Sequence, residues 1–477
     1  MSSRKIISNS AISLVGEIIE RIPRILLILL AAKALGDANF GKFAFALSFT
    51  NLFLILADGG LHYLLVRDIA RADVIDRKLV NAALSLKLCY SAVTIVLIYG
   101  AVELTGKGAE DILAVRILGW AMIVTSFADF FASVFRARQQ MHYDLVSATI
   151  SSVLVNGIGI ALLLLDHGFI VLSYVYLGGA LVKLLYCVLV VARRFVPVGL
   201  FFESKTIWYL AKEGFSFAIL RFFSLMYTYI DTTMLSLMVG DEPTGWYSAA
   251  YRLVFAMMFI PISVMKAVFP AMSKYYNESR EQFQLLVERV FKVMFLLGFG
   301  IATALFCTSE KIILTLFGEE YLPSVTALNI LVFSTAVIFI GTIQTHAARA
   351  SHHQAFTSKV LAASAALNLA LNFYLIPKFS LYGAAFATMA SEIFTFVLHW
   401  YYIRKNLVAI PFVSLAPRIA ILCLAMYFFS RLTVGWHLAL QLPAIVMVGL
   451  LGTALTGYFK MEELRFLKTV LKRQSEN

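Results

Sequence analysis

The chain is a succession of apolar runs, each about as long as a bilayer is thick, joined by short charged connectors, and this pattern constrains its fold more than any other feature. The runs fall at residues 8–35, 40–66, 79–104, 111–135, 144–166, 169–192, 207–239, 245–272, 284–308, 324–348, 357–377, 381–403, 412–433 and 437–459. Within hydrocarbon a backbone must satisfy its own hydrogen bonds, which a helix does within one segment. The expected fold class is therefore all-α, a polytopic membrane protein with about 14 transmembrane helices. Composition agrees: 60% of residues are hydrophobic and 14% charged, whereas soluble proteins carry about 25% charged residues. The connectors leave no room for a soluble domain.

Orientation follows from where cations collect. Arg4 and Lys5 lie at the start, and alternate connectors hold Arg67, Arg71, Arg77 and Lys78, then Arg136 and Arg138, then Arg193, Arg194, Lys205 and Lys212. The series continues through Lys274, Arg280, Arg289 and Lys292, then Arg349 and Lys359, then Arg404, Lys405 and Arg418, to the tail. About 26 cations lie on this side against about 6 on the other, which predicts cytoplasmic termini and an even number of spans in a cell membrane. The net charge of +12 is thus largely topological and does not point to nucleic acid. The first run holds Glu17, Glu20, Arg21 and Arg24 and lacks a small-residue cleavage site, so it does not read as a removable signal. Cys89, Cys187, Cys307 and Cys423 lie far apart inside spans and read as small core side chains. The histidines show no metal spacing, and His352 and His353 read as solvated.

An internal repeat organises the spans. The turn Gly36-Asp37-Ala38-Asn39-Phe40-Gly41 returns as Gly240-Asp241-Glu242-Pro243-Thr244-Gly245, about 200 residues later. Arg136-Ala137 with Tyr143 returns as Arg349-Ala350 with Phe356 at nearly the same offset. Six spans separate the copies, and an even number preserves orientation. This predicts two six-helix lobes related by a pseudo-two-fold axis along the membrane normal, as in parallel-repeat transporters with a site between the halves. The expected divisions are residues 1–196, 197–405, and 406–477 with two further helices and a tail. In that tail, Glu462 to Arg473 is amphipathic and suited to an anionic leaflet.

Charges also occur inside the spans, where each costs about 2.5–3.5 kcal/mol. Glu17, Glu20, Arg21 and Arg24 stand at i, i+3, i+4 and i+7, one stripe of the first helix. Such a stripe serves either as an ion-pair ladder between helices or as the wall of a polar path. Further charges recur as Asp58, Arg116, Asp129, Arg221, Asp231, Arg252 and Lys266, so both halves place cations at membrane depth, as an anion-holding cavity requires. Arg116 and Arg252 lie near helix ends and can instead snorkel. Glu392 reads equally as a structural hydrogen bonder, and Asn156, Asn368 and Asn372 read as hydrogen bonders between helices.

Other chemistry finds little support. Gly36 to Lys42 imitates a phosphate-binding loop, but Phe43 stands where Ser or Thr must hold the metal, and the segment joins two membrane helices. No nucleophile, acid/base pair or metal cluster has the expected spacing. An enzyme building surface polysaccharide would want a long external connector, and none is present.

The blocks Ala34-Leu35-Gly36 with Phe40-Gly41, Asp58-Gly59-Gly60-Leu61 with Val66-Arg67-Asp68, and Gly245-Trp246-Tyr247-Ser248-Ala249-Ala250-Tyr251-Arg252-Leu253 resemble the polysaccharide-repeat-unit flippases of the Wzx type. So do Pro261, Phe269-Pro270, Leu367-Asn368 through Asn372 to Pro377, and Gly383-Ala384-Ala385-Phe386-Ala387-Thr388, over residues 5–400. The wider resemblance is to the superfamily of multidrug, oligosaccharidyl-lipid and polysaccharide exporters. It implies a transporter without catalytic residues or cofactor, turning a polyprenyl-diphosphate-linked oligosaccharide from the inner to the outer leaflet by alternating access, with a polysaccharide polymerase as a downstream partner. On this expectation Arg21, Arg24 and Arg221 meet the diphosphate, Arg116 and Arg252 assist, and Glu17, Glu20, Asp58, Asp129 or Asp231 couple to protons or sodium. A multidrug antiporter of the same superfamily is the alternative, and a membrane polymerase or ligase a more distant one.

Overall fold

The computed structural model describes residues 3–72, 74–408 and 412–458, with side chains from Pro23 onward except that of residue 413. Among these residues every regular element is helical, and a helix underlies every apolar run. In chain order they are α1 (Ser3–Leu52), α2 (Leu54–Asp58), α3 (Leu61–Arg71), α4 (Arg77–Glu103), α5 (Ala109–Ala137), α6 (Met141–Leu164), α7 (Phe169–Arg194) and α8 (Ser204–Met238). There follow α9 (Asp241–Met257), α10 (Phe259–Glu278), α11 (Arg280–Leu316), α12 (Ser324–Ala350), α13 (Gln354–Asn406), α14 (Phe412–Leu432) and α15 (Leu438–Leu455). Two of them turn sharply inside: α1 at Gly36 (φ 74°, ψ 172°) and α13 at Ser380 (φ 54°, ψ −133°), so each covers two of the expected spans. Among the described residues, ten stretches are each long and apolar enough to cross a membrane, and the bent pair Pro23–Leu52 with Leu54–Arg71 makes an eleventh.

The chain divides into two compact units, Met1–Gly245 and Trp246–Asn477. Packing and repeat thus cut the chain at different places, since the first unit retains α8, beyond the repeat boundary at 196. The reason is local. After α7 the connector is stitched to α4, where Asn81 Oδ1 accepts from Gly199 N at 3.1 Å and Ser85 Oγ from Phe201 N at 3.1 Å. Helix α8 then packs against α1, α3 and α4. Arg67 of α3 reaches Glu213 of α8 at 2.9 Å, and Tyr209 donates to Asp68 at 2.9 Å.

The two repeat turns meet within this first unit. Gly36 and Gly240 both have positive φ, and the closing glycines pack reciprocally. A Cβ on Gly41 would lie 1.8 Å from Asp241 O, and one on Gly245 would lie 2.1 Å from Asp37 O. A self-complementary contact of this kind is what a two-fold relation between copies produces. Lys107 adds an ion pair to Asp241 at 2.5 Å.

In the second unit α11 packs on α12 and α12 on α13, around a core that includes Phe283, Phe291, Phe295 and Phe339. The last two helices pack on α11. There Lys311 Nζ donates to Val434 O at 2.6 Å, Trp436 O at 2.8 Å and Gln441 Oε1 at 2.6 Å.

Two readings need correction. Asn156 bonds to Ser152 O at 2.7 Å within its own helix, not across helices, because the i−4 carbonyl is within reach of its short amide. Cys89 is exposed on α4 rather than set in the core.

Candidate functional site

The second predicted span is broken by Gly59 (φ 57°) and Gly60 (φ 77°), two consecutive left-handed residues that end α2 and start α3. Only glycine fits here for a second reason. A Cβ on Gly60 would lie 2.3 Å from Gly214 O of α8, and one on Gly214 would lie 2.6 Å from Gly59 O. The break therefore seats α8 directly on the backbone, and it leaves Asp58 at the C-terminal end of the short helix α2 inside the unit.

Asp58 is buried and fully engaged. Lys87 of α4, itself completely buried, donates from Nζ to Asp58 Oδ1 at 3.1 Å, Ser126 Oγ of α5 at 2.8 Å and Ala57 O at 3.3 Å. The other carboxylate oxygen, Oδ2, lies 2.7 Å from His62 Nδ1, one turn along on α3. On the neighbouring turn of α5, Asp129 Oδ1 accepts from Lys183 of α7 at 2.8 Å. A cavity of about 80 Å³ opens beside these pairs, lined by Leu54, Ile55, Asp58, His62, Ser126, Asp129 and Arg221. Asp58 and Asp129 have Lys87 and Lys183 as cationic partners, while no ion pair involves Arg221 among the described residues. Burying charges is tolerable only when they are paired and their remaining hydrogen-bonding positions filled. Here five helices supply the partners. The result is a polar pocket inside the first unit whose lining includes a guanidinium without an ion pair among the described residues.

The structure thus gathers three residues singled out from the sequence, Asp58, Asp129 and Arg221, and disperses others. Asp231 is buried elsewhere on α8 and does not line the cavity. Arg116 pairs with Glu103 across the α4–α5 hairpin and lies over Tyr99, which suits a snorkelling cation. Arg24 is exposed on α1, and Arg252 is half-buried on α9 in the second unit. Glu17, Glu20 and Arg21 lie on α1 with side chains outside those described, and the tail from Glu462 to Arg473 lies outside the described residues. Three contributors were missed from sequence: Lys87 and Lys183, inside the third and sixth apolar runs, and His62. The two lysines satisfy the same depth criterion that singled out the other charges. His62 carried no signal apart from its i+4 spacing to Asp58.

Comparison with known proteins places this geometry in a family. Residues 6–276 match the profile described as "Polysaccharide biosynthesis protein", and residues 217–374 match that of MatE. A Shigella flexneri protein named "Putative O-antigen transporter" is 23% identical over 414 residues, 84% of this chain and 98% of that one. The Haloferax volcanii "Probable low-salt glycan biosynthesis flippase Agl15" is 25% identical over 187 residues, 39% of each chain. Among solved structures, "Lipid II flippase MurJ, inward closed conformation" aligns with a TM-score of 0.79 at 16% identity, covering 93% of this chain and 98% of its own. An inward-facing multidrug resistance transporter of the MATE family and MOP superfamily aligns with a TM-score of 0.66 at 13% identity, covering 81% and 95%. These structural likenesses establish a shared fold. With more than half its length matched by one family, this multi-pass membrane protein belongs to the polysaccharide biosynthesis protein family.

Proposed function

We propose that the chain is a flippase, moving polyprenyl-diphosphate-linked oligosaccharides from the inner to the outer leaflet of the cell membrane by alternating access, with both termini cytoplasmic. The observation that carries the reading is Arg221, uncommitted beside a polar cavity inside a membrane-spanning unit. A guanidinium held there matches the diphosphate that links sugar to lipid, since it presents a fixed fork of donors to anionic oxygens. The family and the named roles of the Shigella and Haloferax relatives support the same substrate class. An 80 Å³ cavity holds a few waters, whereas ligand pockets run to roughly 300–1,000 Å³. The sugar head therefore enters only after the helices separate, which favours a rocking cycle between two six-helix lobes, residues 1–196 and 197–405, over a fixed pore. Flipping breaks no bond, so the reading assigns no catalytic residue. The same reading assigns Arg21, Arg24 and Arg252 to contact with the diphosphate during the cycle, and one of Asp58 and Asp129 to coupling with a proton or sodium gradient.

The test is reconstitution. Liposomes with the purified protein should expose a labelled polyprenyl-diphosphate oligosaccharide to an external impermeant glycosidase faster than protein-free liposomes; equal rates would end the reading. One observation favours a second reading, export of organic cations: the match of residues 217–374 to MatE. A drug-efflux assay separates the two, and the flippase reading expects no efflux above background.

A further inference from the structure

The oxygens around Lys87 form the kind of set that a sodium ion takes in a secondary transporter. In such proteins the carbonyls of an interrupted helix and its C-terminal dipole end coordinate the cation. Helix α2 ends at Asp58, immediately before the Gly59–Gly60 break. Its final turn offers Ala57 O and Asp58 Oδ1, and Ser126 completes a carbonyl, carboxylate and hydroxyl triad. Hard cations choose such all-oxygen sets. Here the set is already filled. An ammonium has three donors, and Lys87 Nζ uses them on these three oxygens at 3.3, 3.1 and 2.8 Å. The second carboxylate oxygen is held by His62 at 2.7 Å. The stem is enclosed, with the rings of Phe127 and Phe130 centred 5.4 and 5.8 Å from Nζ. Lys87 has no exposed surface through which to withdraw.

We propose that Lys87 is a tethered cation that occupies the ion site of the first unit, so that Asp58 does not bind sodium, and that removing the ammonium converts the cluster into a sodium site. The inference deepens the coupling step proposed above and rests on that reading for its role in transport. Its test reads ion binding, so a failure to flip lipid leaves it standing and its own failure leaves the flippase reading intact.

Thermal unfolding of the detergent-purified protein is measured in sodium chloride and in choline chloride at equal ionic strength. The wild type should unfold at the same temperature in both. Lys87→Gln, which keeps a neutral hydrogen-bonding group of similar length, should unfold at a higher temperature in sodium than in choline. Lys87→Gln with Asp58→Asn, lacking the carboxylate, should lose that difference. Lys87→Gln should bind one more radioactive sodium ion per protein than the wild type, and adding Asp58→Asn to that variant should remove it. Sodium binding by the wild type that Asp58→Asn abolishes would overturn the proposal, as would a Lys87→Gln protein that responds equally to both salts. If Lys87→Gln folds in sodium alone, the proposal is supported; if it folds in neither salt, the wild-type binding measurement decides by itself.

Discussion

Arg221 and Lys87 are both cations at membrane depth, but their surroundings give them opposite duties. Arg221 faces the cavity without an ion pair among the described residues, whereas Lys87 is buried and spends every donor on α2 and α5. Losing Arg221 should therefore remove a contact to substrate and leave the fold intact. Arg221→Ala is expected to slow flipping about 10- to 100-fold, the equivalent of about 1.5–3 kcal/mol for a hydrogen bond to a charged group, with no change in unfolding temperature. Parallel flipping and thermal-unfolding measurements check this, and a lowered unfolding temperature would make Arg221 a structural residue. The two lysine pairs should differ in stability for the same reason. Lys87→Met strands a buried carboxylate, a loss of about 3–5 kcal/mol where no second partner remains; His62 beside Asp58 places it at or below the lower end. Lys183→Met frees Asp129, whose side chain is 40% exposed, and should cost under about 1 kcal/mol. Comparing unfolding temperatures of the two variants tests the order. Individual charges of this site were legible from depth alone, because any charge inside an apolar run needs an explanation. Which of them pair was not. Asp58 and Lys87 lie on different helices, and nothing in an apolar sequence fixes how one helix is rotated against the next.

At the scale of elements, the apolar runs located the helices, while two of the bends had unequal sequence signals. The break at Gly59–Gly60 falls inside the run 40–66, expected as one span, although consecutive glycines weaken a helix and accept positive φ. The bend at Ser380 falls in the gap between the runs 357–377 and 381–403, where one span was expected to end, although a serine at φ 54° is held there by its surroundings rather than by preference. Gly383 shows how tight that corner is: a Cβ on it would lie 2.3 Å from Leu375 O. The α2–α3 break yields a graded prediction. Gly60→Ala meets both a strained φ of 77° and the carbonyl of Gly214 at 2.3 Å, so it should cost about 2–4 kcal/mol. Gly106→Ala, at φ 69° with open space around it, meets the strain alone and should cost about 1–2 kcal/mol. Thermal unfolding of both variants distinguishes crowding from backbone strain. Equal losses would mean that α8 can shift away from the break, and the tight seating of α8 on Gly59–Gly60 would then be wrong.

For the molecule as a whole, the repeated turn read from sequence becomes a physical contact between its two copies. Gly41 and Gly245 are pressed against Asp241 and Asp37 respectively, closer than any side chain permits. Sequence comparison disclosed the copies but not that they touch, since self-similarity carries no distance. Each glycine is required by the same approach of the same two turns, and this makes an energetic prediction that independent sites would not. Gly41→Ala must push the turns apart by well over an ångström, at a cost typical of overpacking, about 1–3 kcal/mol. Gly245→Ala must do the same. Once one methyl group has opened the contact, the second finds much of its space already made, so the double variant should lose clearly less stability than the two single losses added together. Sites that do not share a contact add to within about 0.5 kcal/mol. A double-mutant cycle by thermal unfolding reads the difference directly. Additive losses would show that the two glycines respond to separate neighbours and that the reciprocal packing of the repeat turns does not hold in solution.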